Sequence, residues 1–274
     1  MAGTLFLVGT PIGNLGDLTD RARRTLASVG LVACEDTRRT GRLLHGLGIK
    51  TRLVSFFEGN EAARMPQLLD ELKGGTEVAL VSDAGMPALS DPGYRLVAAC
   101  VEAGIPVEVI PGPSAAVAAL VISGLPTGRF VFEGFLPRSG RARRERLAVL
   151  RGERRTVVLF ESPRRVSQTL SDLLQAVGDR RVAVARELTK LHQEVLRGRL
   201  SDVLARLQGR ELKGEVVLVL KGAPEPSNDV GPDEAVRIAA ELVAGGARKR
   251  DAAREAGRRT GVPAGKIYDG LLNR

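Results

Sequence analysis

Several things are scarce in this sequence. Its 274 residues hold two cysteines, Cys34 and Cys100, and two histidines, His45 and His192. Two thiols cannot build a disulfide scaffold, and so few soft ligands argue against a zinc cage. There is no tryptophan, and Phe and Tyr together number nine. That disfavours an aromatic platform on which bases would stack. No apolar run reaches the roughly 18 residues of a membrane-spanning helix. The opening MAGTLFLVG carries no basic leader and too short an apolar run for a signal peptide. It reads as a first strand, and a cytoplasmic location is the default expectation. A charged fraction of 27% beside 43% hydrophobic residues is the balance of a globular protein, not of a disordered chain.

What is abundant is arginine, 34 against 7 lysines, and the formal charge is +9. Arginine usage by itself fits a GC-rich genome. Its clustering does not follow from that. Residues 138–155 carry eight arginines against Glu145 and Glu153, a net +6, and residues 233–274 carry a net +3. The remainder is neutral. Two basic patches on a neutral body suit a polyanionic partner such as nucleic acid; a solvated face or an acidic protein partner is the alternative.

Short apolar runs alternate with helical patterns. Strands are expected at 5–9, 31–34, 52–55, 77–82 and 107–110, with helices from Thr19 and at 40–47, 61–73, 92–104 and 114–123. This alternation indicates a mostly parallel α/β sheet. Gly124-Leu-Pro-Thr-Gly128 punctuates the pattern, so a first domain is expected over 1–123 and a second α/β domain over 124–222. The second has strands near 130–135, 156–161, 181–186, 193–198 and 215–220, and helices near 141–150, 164–177 and 201–207. Residues 223–232 read as a linker. The tail, 233–274, shows three helical patterns. The last two, joined by Thr260-Gly261-Val262-Pro263, fit either a helix-turn-helix or a plain helical cap.

Loops at the C-terminal ends of parallel strands converge on one crevice. Three such loops here are rich in Gly and Pro: Gly9-Thr-Pro-Ile-Gly13-Asn-Leu-Gly16, Ser82-Asp83-Ala84-Gly85-Met86-Pro87 with Asp91-Pro92-Gly93 behind it, and Pro111-Gly112-Pro113-Ser114. Glycine lets a ligand approach the backbone, and proline fixes the turn. The first loop matches neither a dinucleotide fingerprint nor a Walker A loop. Glu35 and Asp36 lie about 20 residues on, which keeps an NAD-type site open on spacing alone. Asp83 and Asp91 could ligate a metal. The Gly- and Pro-rich setting suits an organic ligand better, with Asp83 accepting hydrogen bonds from it.

The runs GTPIGNLGDLTDRA, CEDTRRT, SDAGMPALSDPG, PGPSA, FEGFLP, ARELTK and KGE resemble the bacterial 16S rRNA (cytidine-2′-O-)methyltransferases of the tetrapyrrole-methylase-like superfamily. The resemblance spans about Thr4 to Gly222 and extends into the tail. Gly9 stands where alanine is common, and Met86 where threonine is. The resemblance implies two α/β domains with S-adenosylmethionine in the cleft between them, a small helical extension and a homodimer. It implies methyl transfer to the ribose of one cytidine in the decoding region of small-subunit rRNA. Carried over by position, Pro11, Asp83, Met86, Ser114 and Ala115 would contact the cofactor, with Leu188 contributing from the second domain.

A sulfonium donor needs no metal, so alignment carries the reaction, and a positioned base would help. Glu35, Asp36, Glu133, Glu161, Glu187 and Lys190 are candidates. Glu187 and Lys190 are preferred, at a strand end beside the expected cofactor loop. RNA contact is expected from Arg138, Arg141, Arg143, Arg144 and Arg146 with the tail, through phosphate. The acceptor would be 16S rRNA or the small ribosomal subunit. A tetrapyrrole methyltransferase and a non-catalytic ribosome-associated protein are the competing readings.

Overall fold

A computed structural model describes residues 2–224 and 231–273. Residues 225–230, most of the expected linker, lie outside the described residues. The chain forms two compact units, 1–221 and 222–274.

Unit one contains two five-stranded sheets. The first is wholly parallel: β1 (Leu5–Val8), β2 (Leu31–Cys34), β3 (Leu53–Ser55), β4 (Val78–Val81) and β5 (Val107–Ile110), in the order β3-β2-β4-β1-β5. β2 and β4 are buried at every residue, as expected of parallel strands covered on both faces. Helices α1 (Asp20–Ser28), α2 (Thr37–Gly46), α3 (Glu61–Lys73), α4 (Tyr94–Glu102) and α5 (Ala115–Ile122) follow the strands. Two of these five helix starts differ from the sequence expectation by two residues or more. α2 begins at Thr37 because Asp36 caps it, accepting a bond from the Arg38 amide. α4 begins at Tyr94, since Pro92-Gly93 stays in the loop and Gly93 has φ +131°. The strand order sets β4, β1 and β5 side by side, so the three Gly/Pro loops at their C-terminal ends are neighbours.

The second sheet is mixed, not parallel. It comprises β6 (Phe130–Phe135), β7 (Thr156–Glu161), β8 (Arg181–Arg186), β9 (Glu194–Arg199) and β10 (Val216–Leu220), in the order β6-β7-β10-β8-β9. Only β6 and β7 pair in parallel. Alternation decides what each face meets. Val216, Leu218 and Leu220 of β10 join the core beneath α6 (Gly140–Gly152), α7 (Val166–Val177) and α8 (Leu200–Leu207). Val217 and Val219 face the other way, onto Ala116, Ala119 and Leu120 of α5. The helix that ends the first α/β stretch is therefore core to the second sheet. That shared core makes 1–221 one compact unit.

The second unit has its own core. Ala235, Ala239, Ala252, Ala256, Ile267 and Leu271 pack α9 (Pro232–Ala244), α10 (Lys249–Thr260) and α11 (Ala264–Leu272) together. Gly261, with φ +76°, ends α10 ahead of a three-residue turn. Among the described residues no helix is long and apolar enough to cross a membrane.

Candidate active site

The three loops are stitched to one another by backbone. Thr10 and Gly85 exchange N–H to carbonyl bonds of 2.9 and 3.1 Å. The buried Thr10 hydroxyl also donates to the Ser82 carbonyl at 3.1 Å. Gly9 and Gly112 pass so closely that a Cβ on Gly9 would sit 2.6 Å from the Gly112 Cα. The same Cβ would sit 2.8 Å from the Met86 Sδ. Only glycine permits this approach without displacement. The buried Glu61 carboxylate accepts the Gly93 amide at 3.1 Å and anchors the far end of the second loop.

Two adjoining cavities open along these loops. The larger, about 380 Å³, is walled by Glu35, Asp83, Met86, Asp91, Ser114 and Ala115 on the first-sheet side, and by Phe135, Phe160, Glu161 and Val217 on the other. The smaller, about 260 Å³, is walled by Thr10, Pro11, Gly13, Leu15, Arg39 and Lys190. They share Ile12, Arg39, Asp83, Ala84 and Glu215. Among the described residues, non-glycine positive φ occurs at Ala88, Ser90, Glu187 and Thr189. All four lie in the two segments, 82–91 and 187–190, that border this cleft. Strained backbone concentrates at ligand sites.

Comparison with known proteins agrees with this picture. Residues 4–204 match the family of tetrapyrrole (corrin/porphyrin) methylases. "Ribosomal RNA small subunit methyltransferase I" of Micromonospora olivasterospora is 48% identical over 98% of this chain and 86% of its own length. This chain belongs to the tetrapyrrole (corrin/porphyrin) methylase family, among the ribosomal RNA small subunit methyltransferases I. The Thermotoga maritima protein of the same name is 51% identical over 80% of this chain and 99% of its own. The crystal structure of uroporphyrin-III-C-methyltransferase from Thermus thermophilus superposes with a TM-score of 0.58 at 26% identity. It covers 80% of this chain and 94% of that one.

The methylase cleft gathers most of the residues singled out in the sequence. Pro11 lies on the smaller cavity, Asp83 on both, and Met86, Ser114 and Ala115 on the larger. Leu188 lies on neither. It is 7% exposed and packed in the core shared by α5 and the second sheet. Asp83 is held in place, accepting the Asp36 amide at 3.2 Å and pairing with Arg39 Nη1 at 2.9 Å.

Glu187 and Lys190 do not fit the part of a free base. Glu187 Oε1 accepts Lys190 Nζ at 2.8 Å and the Glu215 amide at 3.0 Å. Burial opposes its charge, but these bonds prevail and hold the carboxyl below its ordinary pKa. Lys190 lies with its stem across Gly13, where a Cβ would meet its Cγ at 2.4 Å. Burial alone would lower its pKa. The Glu187 bond and the Glu215 charge outweigh that and raise it. Lys190 is an ammonium at neutral pH, and Glu187 is its support.

Other candidates sort by position. Glu133 is spent on Arg146 through two bonds, one of 2.7 Å. Asp36 is lowered to about 2 by Arg38. Glu161, buried, accepts the Thr169 hydroxyl at 2.7 Å and the Ser162 amide at 2.8 Å. Glu35 is raised by burial and by the Asp83 charge. Asp91 is raised to about 6, by burial first and then by Glu35. Sequence reasoning missed Arg39, Leu15, Phe135, Phe160 and Glu215. The phenylalanines left a partial signal: Phe130, Phe132 and Phe135 fall within six residues of a chain with nine aromatics, and the structure adds Phe160, with ring centroids 5.0 Å from Phe132 and 5.6 Å from Phe135. Among the described residues no group of three or more His, Cys, Asp or Glu could hold a metal ion.

The arginine run divides. Arg143 is buried, and its guanidinium donates to Asp172 at 2.8 Å, to Thr169 Oγ1 at 2.9 Å and to the Pro137 carbonyl at 3.0 Å. It cannot also reach RNA, which corrects the sequence expectation for this residue: the side chain points inward to join α6 to α7. Arg141 pairs with Glu145 and Arg146 with Glu133. Arg138 and Arg144 are exposed.

Proposed function

We propose that this protein transfers the methyl group of S-adenosylmethionine to the ribose 2′-hydroxyl of a cytidine in the decoding region of 16S rRNA. What supports the reading most is the pair of adjoining cavities with unlike linings. The larger combines acids with apolar and aromatic walls, which suits a cationic, partly apolar ligand. Glu35, Asp83 and Asp91 answer its positive charge, Phe135 and Phe160 its flat ring, and the Gly9–Gly112 contact keeps the loops thin enough to admit it. Pro11, Met86, Ser114 and Ala115 complete its proposed contacts. When bound, S-adenosylmethionine supplies a methyl group on a sulfonium, and the bonding pair stays with sulfur as the methyl leaves.

The smaller cavity then takes the acceptor ribose. Leu15, 68% exposed, offers an apolar surface at its edge, and Lys190 and Arg39 offer positive charge. Holding oxygen and methyl carbon in line contributes roughly 7–11 kcal/mol. Glu187 orients Lys190, whose ammonium steadies charge on the attacking oxygen. Glu215 lines both cavities and stands 3.5 Å from Lys190. It is the carboxylate placed to accept the hydroxyl proton. We place the protein in the cytoplasm, acting on 16S rRNA or the small subunit, as a homodimer; sedimentation as a monomer at micromolar concentration would contradict the last point.

The test incubates the protein with methyl-labelled S-adenosylmethionine and, separately, small ribosomal subunits, naked 16S rRNA and a uroporphyrinogen. Label on either rRNA sample is expected. Label on the tetrapyrrole alone would select the reading that likeness to the uroporphyrin-III methyltransferase favours. No cofactor binding at all would leave only a non-catalytic role.

A further inference from the structure

The eight arginines of 138–155 look equivalent in sequence. In the structure four of them are neutralised by the protein's own acids: Arg141 by Glu145, Arg143 by Asp172, Arg146 by Glu133 and Arg155 by Glu153. Among the described residues no acid pairs with Arg138, Arg144, Arg151 or Arg154, and all four are exposed. Arg138, Arg144 and Arg151 share one groove between α6 and α7, which Arg154 does not line. Arg144 and Arg151 are seven residues apart on α6. That is two helical turns, so they lie on the same face about 10 Å apart.

We propose that the α6–α7 groove is the docking surface for the rRNA sugar–phosphate backbone, with Arg138, Arg144 and Arg151 as its phosphate ligands. This rests on the reading of rRNA as substrate. The buried Arg143 builds the groove rather than binding in it. It ties Asp172 and Thr169 of α7 to α6, and so also cancels the groove's one acid. Gln168 donates to the other Asp172 oxygen at 2.7 Å, which leaves that carboxylate satisfied. The charge left facing solvent is positive.

The lining favours nucleic acid over an acidic protein. A protein partner needs an apolar or aromatic anchor pocket at the centre of the contact. Here the one large apolar side chain, Leu147, is 8% exposed. What remains is arginine forks, Ser139, Gln168 and Gln175. Guanidinium forks grip phosphate bidentately, and hydroxyl and amide groups bond phosphate and sugar oxygens.

Two double variants of equal charge change separate this groove from general basicity. One is Arg144→Gln with Arg151→Gln. The other is Arg141→Gln with Arg155→Gln. Binding of each to transcribed 16S rRNA is measured against salt, with S-adenosylmethionine affinity and thermal midpoint as controls of folding. Removing one phosphate ligand lowers the slope of log K on log salt by about 0.7–0.9. The groove variant is expected to lose about 1.4–1.8 in slope, and about 25- to 60-fold in affinity at 0.1 M salt, with its controls unchanged. The other variant is expected to bind as the wild type does. Equal losses in both, or none in the groove variant, would overturn the proposal. So would an oligoglutamate peptide that displaces the RNA at matched charge. If the wild type methylates rRNA while the groove variant binds unaltered, only the groove is wrong. If the wild type neither binds nor methylates rRNA, the substrate reading falls and the groove with it.

Discussion

Glu187 and Lys190 form a 2.8 Å ion pair inside a turn whose backbone is left-handed at Glu187 and Thr189. The same Glu187 oxygen holds the Glu215 amide, so one carboxylate fixes both a cation and a second carboxylate at the cleft mouth. This separates a charge-bearing role for Lys190 from a basic one. Arginine keeps the charge but cannot act as a base. Lys190→Arg should retain most activity, whereas Lys190→Met should lose about 10²-fold in kcat, the scale of one removed electrostatic donor. Equal loss in both would make Lys190 the base. In the same assay Glu215→Gln should lower kcat by about 10²–10⁴-fold with cofactor affinity kept; an unchanged kcat removes Glu215 from proton transfer.

Gly9 and Met86 depart from the resemblance at two places, and the structure puts them in contact. A methyl on residue 9 would lie 2.8 Å from the Met86 sulfur and 2.6 Å from the Gly112 backbone. Gly9→Ala should destabilise the apo protein by about 1–3 kcal/mol, as overpacking does. Adding Met86→Thr withdraws the sulfur and should recover part of that loss, leaving the share owed to Gly112. Denaturant titration of the two singles and the double measures the coupling. Strictly additive losses would mean the two residues do not share the space.

Arg143 is a stability residue in this structure, not an RNA ligand. Its removal takes an ion-pair partner from the half-buried Asp172 and a donor from the buried Thr169 hydroxyl, a loss of about 1–3 kcal/mol. Arg143→Ala should therefore lower the denaturant midpoint markedly. An unchanged midpoint with weakened RNA binding would return it to the interface.

Asp91 gives a pH signature. Its folded pKa is raised from 3.8 to about 6, chiefly by burial. Between those values the folded state keeps a proton that the unfolded state has released. Stability therefore falls as pH rises through that window and stays reduced above it. Asp91→Asn removes this loss, so the gain in thermal midpoint over wild type should be larger at pH 8 than at pH 4.5. A gain independent of pH would contradict the assigned ionisation.

Much of this was legible in the sequence, for identifiable reasons. Fully apolar runs such as LVAC and VALV announce buried parallel strands, and the three Gly/Pro loops mark the strand ends that converge. What composition could not show was direction and pairing. VVLVL reads the same whether its neighbours run parallel or antiparallel, so the mixed second sheet was hidden. The alanines of α5 look like plain helix formers, although they pack against the second sheet. In the arginine run, spacing from Arg143 to Asp172 or from Arg146 to Glu133 carries no local signal, so buried and free arginines looked alike. Arg39, on α2, and Glu215, just before β10, reach the cleft from elements far apart in the chain, which no single stretch of sequence reveals.

The most direct test of the proposed activity is the position of the transferred methyl group. Small subunits labelled with methyl-labelled S-adenosylmethionine and this protein are stripped to 16S rRNA and digested with alkali. A 2′-O-methyl blocks cleavage at its own linkage, so the label should appear in one alkali-stable dinucleotide whose 5′ residue is cytidine. Label recovered in mononucleotides, which places the methyl on a base, or no label in the rRNA at all, would contradict the assignment.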